Sequence, residues 1–397
     1  MGFKAAMIGT GAFAQNFIPL FNAHPLVDEL ILCDLDADKL RHNVEKHNIA
    51  STASSLDEVC ARTDVDAAVI ITQNWLHAPQ AVQALKSGKH VYSAVPTGIN
   101  VDEISELVQT VEDTGRIYMI GETSYYYPGV IYCRNQYKQG AFGHVVYGEA
   151  EYYHDWDHGL YEVAKWRGGE RWREFAGKPP MYYPTHSTSQ IVSVTGAWMT
   201  HVSCQGFVDQ ADDGIYAPDG NPWRNEYSNE TALFKMSDGS MCRINEFRRI
   251  GHPGTVRMAM FGTEGSFEQN TAGARWVTKR REDMVDLDDA LACQGVSLKR
   301  KPGEAMDVVT ASDGTHLGAS SVHPVERLPK EFIGLSNGHA GAHQFLVDDF
   351  VKACVSGVTP PNNVWEAARY AIPGIIAHDS SMRNGNLLEI PDLGNPR

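Results

Sequence analysis

Positive charge is scarce in this chain of 397 residues, where 34 lysines and arginines face 49 aspartates and glutamates and the formal net charge is −15. A surface of that sign repels phosphate backbones and anionic headgroups, so neither nucleic acid nor a membrane is expected as a partner. No apolar run approaches the length of a membrane span. The short one behind Met1-Gly2-Phe3-Lys4 meets Gly9 too early to form the core of a secretory signal. Ala6 stands where N-myristoylation needs a hydroxyl residue. The 7 cysteines lie singly at positions 33, 60, 133, 204, 242, 293 and 354 with no Cys-x-x-Cys pair, which argues against a disulfide framework or zinc ribbon and for a cytoplasmic protein. There is no internal repeat and no tract dense in proline and glycine. With 43% hydrophobic residues the chain reads as a folded globular protein, long enough for two or three domains of about 150 residues.

What is present has two textures. Apolar runs at 5–8, 30–33, 67–71, 90–92 and 117–120 alternate with helical stretches near 12–23, 37–47, 78–87 and 101–114. Continuous Val/Ile-rich strands spaced by helices need cover on both sheet faces, which predicts a parallel, doubly wound α/β domain over 1–124. Beyond it, short alternating runs at 145–147, 232–236 and 257–261 are split by glycine turns, and Ser237-Asp238-Gly239-Ser240 reads as a hairpin. Helical patterns recur at 187–195, 340–356 and 364–378. The region 125–397 is therefore expected to be an α+β domain with a large, mainly antiparallel sheet, its late helices free to pack back on the first domain. Residues 284–330 are polar and weakly periodic, the pattern of a long excursion.

Gly9-Thr10-Gly11-Ala12-Phe13-Ala14 is a G-x-G-x-x-A run placed directly after a strand and before a helix. Its first glycine suits the tight turn, its second lets a pyrophosphate approach the backbone, and Ala14 allows close helix–strand packing. Asp34 ends the second strand about 20–25 residues further on, where a carboxylate takes a ribose 2′-hydroxyl. Leu35 rather than arginine follows it, so the pattern favours NAD over NADP.

These features, with Thr72-Gln73-Asn74-Trp75-Leu76-His77 after the third long strand, resemble the Gfo/Idh/MocA oxidoreductase family across essentially the whole chain. The resemblance implies an NAD-binding Rossmann domain followed by a substrate domain that assembles into a homo-oligomer. It implies that Thr72, Asn74 and His77 line the nicotinamide half of the cofactor, although a strand end with a helix cap accounts for the same residues. Two departures matter. The family's Glu-Lys-Pro is Ala94-Val95-Pro96 here, so the lysine near the reacting hydroxyl is gone while Ala94 and Val95 keep its place beside the cofactor. The family's D-x-G-x-H is Tyr182-Tyr183-Pro184-Thr185-His186, in which only the histidine survives.

Oxidation of a hydroxyl needs a group to take its proton, and histidine does this near neutral pH. His186 is the first candidate, with Tyr125 and Tyr182 as tyrosines that could share its role. A divalent metal could replace the lysine instead by lowering the hydroxyl pKa, with Glu122, His154 and His186 as its ligands. Glu122, His154, Lys165, Trp166, Arg167 and His339 are expected to contact substrate, since aromatic faces and fixed polar groups suit a carbohydrate. The leading function is NAD-dependent oxidation of a sugar or sugar derivative. Some relatives of the family are glycosidases that oxidise, eliminate, hydrate and reduce in turn, and a non-catalytic sugar or NAD sensor is the third reading.

Overall fold

The computed structural model describes residues 2–294 and 315–396, without the side chains of Trp166 and Arg167; residues 295–314 of the expected excursion therefore lie outside the described residues. Six strands, β1 (Phe3–Ile8), β2 (Val27–Cys33), β3 (Thr52–Ala53), β4 (Ala67–Ile70), β5 (His90–Ser93) and β6 (Tyr118–Ile120), form a parallel sheet in the order β3-β2-β1-β4-β5-β6. All residues of β4 are buried, as helices on both faces require. The helix predicted near 12–23 divides into a 3-10 turn, Phe13–Asn16, and a helix, Ile18–Ala23. Pro19 lacks the N–H that a continuous helix would use and fits the first turn of a new one. Asp36 caps Ala37–His47, and Asn100 caps Val101–Thr114 by accepting from Glu103 N at 2.8 Å.

The second sheet contains β7 (Val145–Tyr153), β8 (Met199–Val208), β9 (Tyr227–Met236), β10 (Met241–Phe247), β11 (Thr255–Gly262), β12 (Gly265–Asn270), β13 (Gly273–Thr278), β14 (Val285–Asp286) and β15 (Leu388–Glu389). Their order is β14-β13-β12-β11-β7-β10-β9-β8-β15. The predicted hairpin joins β9 to β10, whose pairing is antiparallel, whereas β7 and β10 run parallel in the middle of the sheet. That pairing sets Tyr152 opposite Glu246 and Tyr153 opposite Phe247, so the carboxyl ends of both strands meet at one edge.

The buried helix Thr185–Thr195 packs against β7 and brings its amino end to this edge. Helix Gly338–Ser356 packs on the first domain, where Phe345 and Phe350 share a core with Phe17, Phe21 and Tyr92. The segment holding Lys165-Trp166-Arg167 and Trp172-Arg173 reads as a loop in sequence because glycines punctuate it; the structure instead forms two helices, Leu160–Gly168 and Trp172–Ala176. No helix among the described residues is long and apolar enough to cross a membrane.

Candidate active site

A cavity of about 980 Å³ runs from the glycine turn of the first domain to the edge where β7, β10 and Thr185–Thr195 converge. Gly9, Gly11, Ala12, Phe13, Asp34, Thr72, Asn74, His77, Ala94 and Val95 line it. Gly9 has φ +89, and a Cβ there would stand 2.4 Å from the Ile71 carbonyl oxygen, so only glycine fits between the ends of β1 and β4. Thr10 does not line the cavity; its N–H and hydroxyl donate to Asp34 Oδ2 at 2.8 and 3.0 Å, fixing the carboxylate at the end of β2. His77 is held between the Pro96 carbonyl (2.8 Å) and the Thr72 carbonyl (3.2 Å). A glycine cradle that a Cβ would fill, with a fixed carboxylate at the ribose position, fits a dinucleotide.

At the other end, His186 Nδ1 meets Glu122 Oε1 at 2.8 Å. Glu122 is fully buried, and its Oε1 also accepts from Ser124 N at 2.8 Å. Burial opposes charge on both groups, yet the opposite charges and their hydrogen bond prevail: the His186 pKa is raised and that of Glu122 lowered. With Nδ1 engaged, Nε2 is the ring nitrogen left for a molecule in the cavity. Around His186 stand Tyr152 and Tyr183, with ring centroids 5.2 and 5.4 Å away. The Tyr152 hydroxyl meets His154 Nδ1 at 2.9 Å, and Arg248 lies over the Tyr152 ring at 4.9 Å.

His339 closes this end, 6.4 Å from His186 by ring centroids and paired with His343 across 2.9 Å. His339 and Ala340 have φ of 50 and 54, a left-handed backbone that L side chains adopt at a cost of about 1–3 kcal/mol each. The turn they form sets the His339 ring edge-on to Phe13 at 5.8 Å.

Several sequence-based expectations need correction. Tyr125 and Tyr182 do not line the cavity: Tyr125 lies beneath the Arg134 guanidinium at 3.9 Å, and Tyr182 packs edge-on to His378. Glu122 stands behind His186 rather than against substrate. Lys165 is exposed on its helix, outside the cavity lining, and the Trp166 and Arg167 side chains lie outside the described residues. The metal site proposed from Glu122, His154 and His186 is not assembled, because Glu122 and His154 are committed to His186 and Tyr152. Among the described residues no group of three or more His, Cys, Asp or Glu could hold a metal ion. Conversely, Tyr152, Tyr183 and Lys178 line the cavity without having been singled out for it, and Arg248, in the strand end Glu246-Phe247-Arg248-Arg249 that reads in sequence as suited to a sugar, lines it too.

Residues 3–122 match the model of the oxidoreductase family with an NAD-binding Rossmann fold, GFO_IDH_MocA. The first domain is thus that of the Gfo/Idh/MocA family. Val95 stands where the resemblance to that family places a lysine. The chain is similar to a "Glycosyl hydrolase family 109 protein" of Solibacter usitatus, 26% identical over 407 residues that cover 96% of this chain and 86% of that one. A protein of the same name from Shewanella sp. is 28% identical, with 98% and 84% covered. Among solved structures, levoglucosan dehydrogenase in complex with NADH and L-sorbose superposes with a TM-score of 0.73 at 15% identity, covering 99% of this chain and 100% of that one. Myo-inositol 2-dehydrogenase from Lactobacillus plantarum gives 0.68 at 17%, covering 98% and 100%. These likenesses match the fold read from sequence, a Rossmann domain joined to a mainly antiparallel sheet.

The matched domain is an NAD-binding Rossmann domain, and the protein uses NAD. Near the ribose position Lys39 Nζ lies 3.9 Å from Asp34 and 3.7 Å from Asp36, one ammonium against two carboxylates. Asp34→Ala is expected to weaken NAD binding by about 10- to 100-fold, the worth of hydrogen bonds to a charged group. It should at the same time favour NADP, because Lys39 then faces one carboxylate fewer. Fluorescence titration with both cofactors checks this, and an unchanged NAD preference would remove Asp34 from the ribose site.

Proposed function

We propose that this enzyme oxidises a ring hydroxyl of a sugar or sugar derivative, with His186 Nε2 receiving the hydroxyl proton. The observation that carries the reading is the buried Glu122–His186 pair opening onto the same cavity as the dinucleotide turn. When bound, NAD supplies the hydride acceptor. Glu122 fixes the orientation of the imidazole and stabilises the imidazolium formed when the proton arrives, as a buried carboxylate does for a general base. Val95 is apolar and cannot take that proton. Tyr152 and Tyr183 offer flat faces to a sugar ring, and the named substrates of the solved dehydrogenases support a polyhydroxylated substrate. In this reading the enzyme works in the cytoplasm, where NAD is at hand.

A second reading is favoured by the glycosyl hydrolase names of relatives matched over nearly the whole chain. Here the substrate is oxidised, loses its glycosidic group, takes up water and is reduced again, with no net change in NAD. Incubation with free sugars and with 4-nitrophenyl glycosides separates the two. NADH accumulating in proportion to substrate supports the dehydrogenase, and nitrophenol release without NADH supports the glycosidase. Binding without either product would sink both and leave a sensor.

The reading includes a homo-oligomer. The sheet face away from Thr185–Thr195 carries Leu233 and Met241, 57% and 53% exposed, beside the ion pairs of Arg243 with Glu149 and Arg257 with Glu151. A patch of apolar groups among charges is the composition of an interface. Sedimentation is expected to give a multiple of 43.8 kDa at micromolar concentration, and a monomer there would overturn the assignment.

A further inference from the structure

The first turn of the helix Thr185–Thr195 sends two neighbouring side chains to two different carboxylates. His186 meets Glu122, while Ser187 Oγ donates to Glu246 Oε1 at 2.6 Å. Glu246 stands near the end of β10 with no exposed surface, and its Oε2 accepts from Arg248 Nη2 at 3.0 Å. Arg248 is also buried. Its Nη1 donates to the carbonyl oxygens of Phe247 at 3.0 Å and Tyr152 at 3.3 Å, and its Nη2 to that of Pro180 at 3.4 Å. Those carbonyls carry no net charge, so the ion pair with Glu246 is what neutralises Arg248.

Charge can then be counted behind the cavity. With His186 neutral, two carboxylates face one guanidinium; once His186 takes a proton, imidazolium and guanidinium have one carboxylate each. Without Glu246, the Glu122 carboxylate would have to meet both cations, and buried charge left unmet is costly. The other polar groups around the His186 ring are Tyr183 from the preceding turn, with Lys178 beside it, Tyr152 from β7, with His154 on its hydroxyl, and His339 from the helix Gly338–Ser356. Burial pushes the His186 pKa down, and Glu122 pushes it up and prevails; the charge of Glu246 adds to that rise and the charge of Arg248 opposes it. Burial also pushes Glu246 up to about 7, against the pull of Arg248 and the Ser187 hydroxyl, so its charge is established in the neutral range where histidine exchanges protons.

Resting on the reading of His186 as proton acceptor, we propose that Glu246 is a positioning residue for the oxidation. Through Ser187 it fixes the turn that carries His186, and through Arg248 it neutralises the cation that would otherwise oppose an imidazolium. The test follows the His186 ring by nitrogen NMR over a pH series, in NAD-saturated enzyme labelled with ¹⁵N-histidine. Its resonance is the one absent from the spectrum of His186→Gln. Glu246→Gln keeps an oxygen for Ser187 and removes the charge, so the titration midpoint of His186 is expected to fall by about half a pH unit or more. Glu246→Gln with Arg248→Met removes the opposing cation as well, and the midpoint should return toward that of the wild type. A loss of packing alone predicts no such return.

Ser187→Ala, a small change that leaves both charges in place, withdraws the hydrogen bond that holds Glu246 ionised. It should move the midpoint the same way by less, and it supplies the decision if Glu246→Gln does not fold. The inference is overturned if the midpoint stays or rises in Glu246→Gln, if the double variant shows no return, or if Ser187→Ala leaves the midpoint unmoved. The titration needs no turnover. Midpoints that move as expected in an enzyme that oxidises no sugar would sink the oxidation reading and leave the action of Glu246 on His186 standing, whereas NADH formation with unmoved midpoints would do the reverse.

Discussion

Replacing His186 with alanine is expected to slow turnover by about 10²- to 10⁴-fold, the range for loss of a general acid–base group. Val95 offers no alternative proton acceptor. Glu122→Gln tests the pair differently, because the amide preserves shape and removes the charge. In the wild-type protein the charge of Glu122 outweighs burial and raises the His186 pKa above its ordinary 6.5. The neutral imidazole is the form that accepts a proton, so the rate of oxidation should rise with pH through that raised pKa. Without the carboxylate, burial acts with less opposition, and the rising limb should move to lower pH. A slower Glu122→Gln enzyme with an unmoved limb would make Glu122 a packing residue only. A His186→Ala enzyme with full turnover would transfer the proton to another group in the cavity.

The same pair links stability to pH. The His186 pKa is raised on folding, so its contribution is complete below its unfolded value of 6.5 and is lost as pH climbs through the folded one. The Glu122 pKa is lowered, so its contribution is complete above 4.5 and is lost as pH falls through the folded value. The pair therefore stabilises most between those two ordinary values. Glu122→Gln should flatten the dependence of melting temperature on pH on both sides of that window.

The elements that could be read from sequence are those encoded by neighbours along the chain. The strand–glycine-turn–helix start, Asp34 at the end of β2 and the helices capped by Asp36 and Asn100 depend on local periodicity and local hydrogen bonds. His186 was placed by a short motif that survives in part. The rest of the pocket depends on distant pairing: Tyr152 and Arg248 are 96 residues apart in sequence and meet because β7 and β10 run parallel. Tyr125 was misplaced for a related reason. Adjacent tyrosines look alike in sequence, but the 3-10 turn Thr123–Tyr126 directs Tyr125 toward Arg134 and stacks Tyr126 on Phe345. The metal hypothesis failed because a list of ligand types does not show which of them are already bonded to one another.

Gly9→Ala is expected to abolish measurable NAD binding and to destabilise the fold, by two separate costs. Holding alanine at φ +89 strains the backbone by about 1–3 kcal/mol. The added methyl would also stand 2.4 Å from the Ile71 carbonyl oxygen and 3.0 Å from its carbon, both backbone atoms that cannot rotate away. Forcing atoms into a packed site costs about 1–3 kcal/mol more. Relief requires the end of β1 to move from the end of β4, which displaces the turn that carries Thr10 and its bonds to Asp34. Gly115→Ala supplies the control: its φ is +62, but a Cβ there meets nothing within 4 Å. That variant should lose only about 1 kcal/mol and keep its NAD affinity. Thermal melting with and without NAD measures both effects. If Gly9→Ala melts no earlier than Gly115→Ala and still gains stability from NAD, the close approach of this turn to β4 is not what shapes the dinucleotide site.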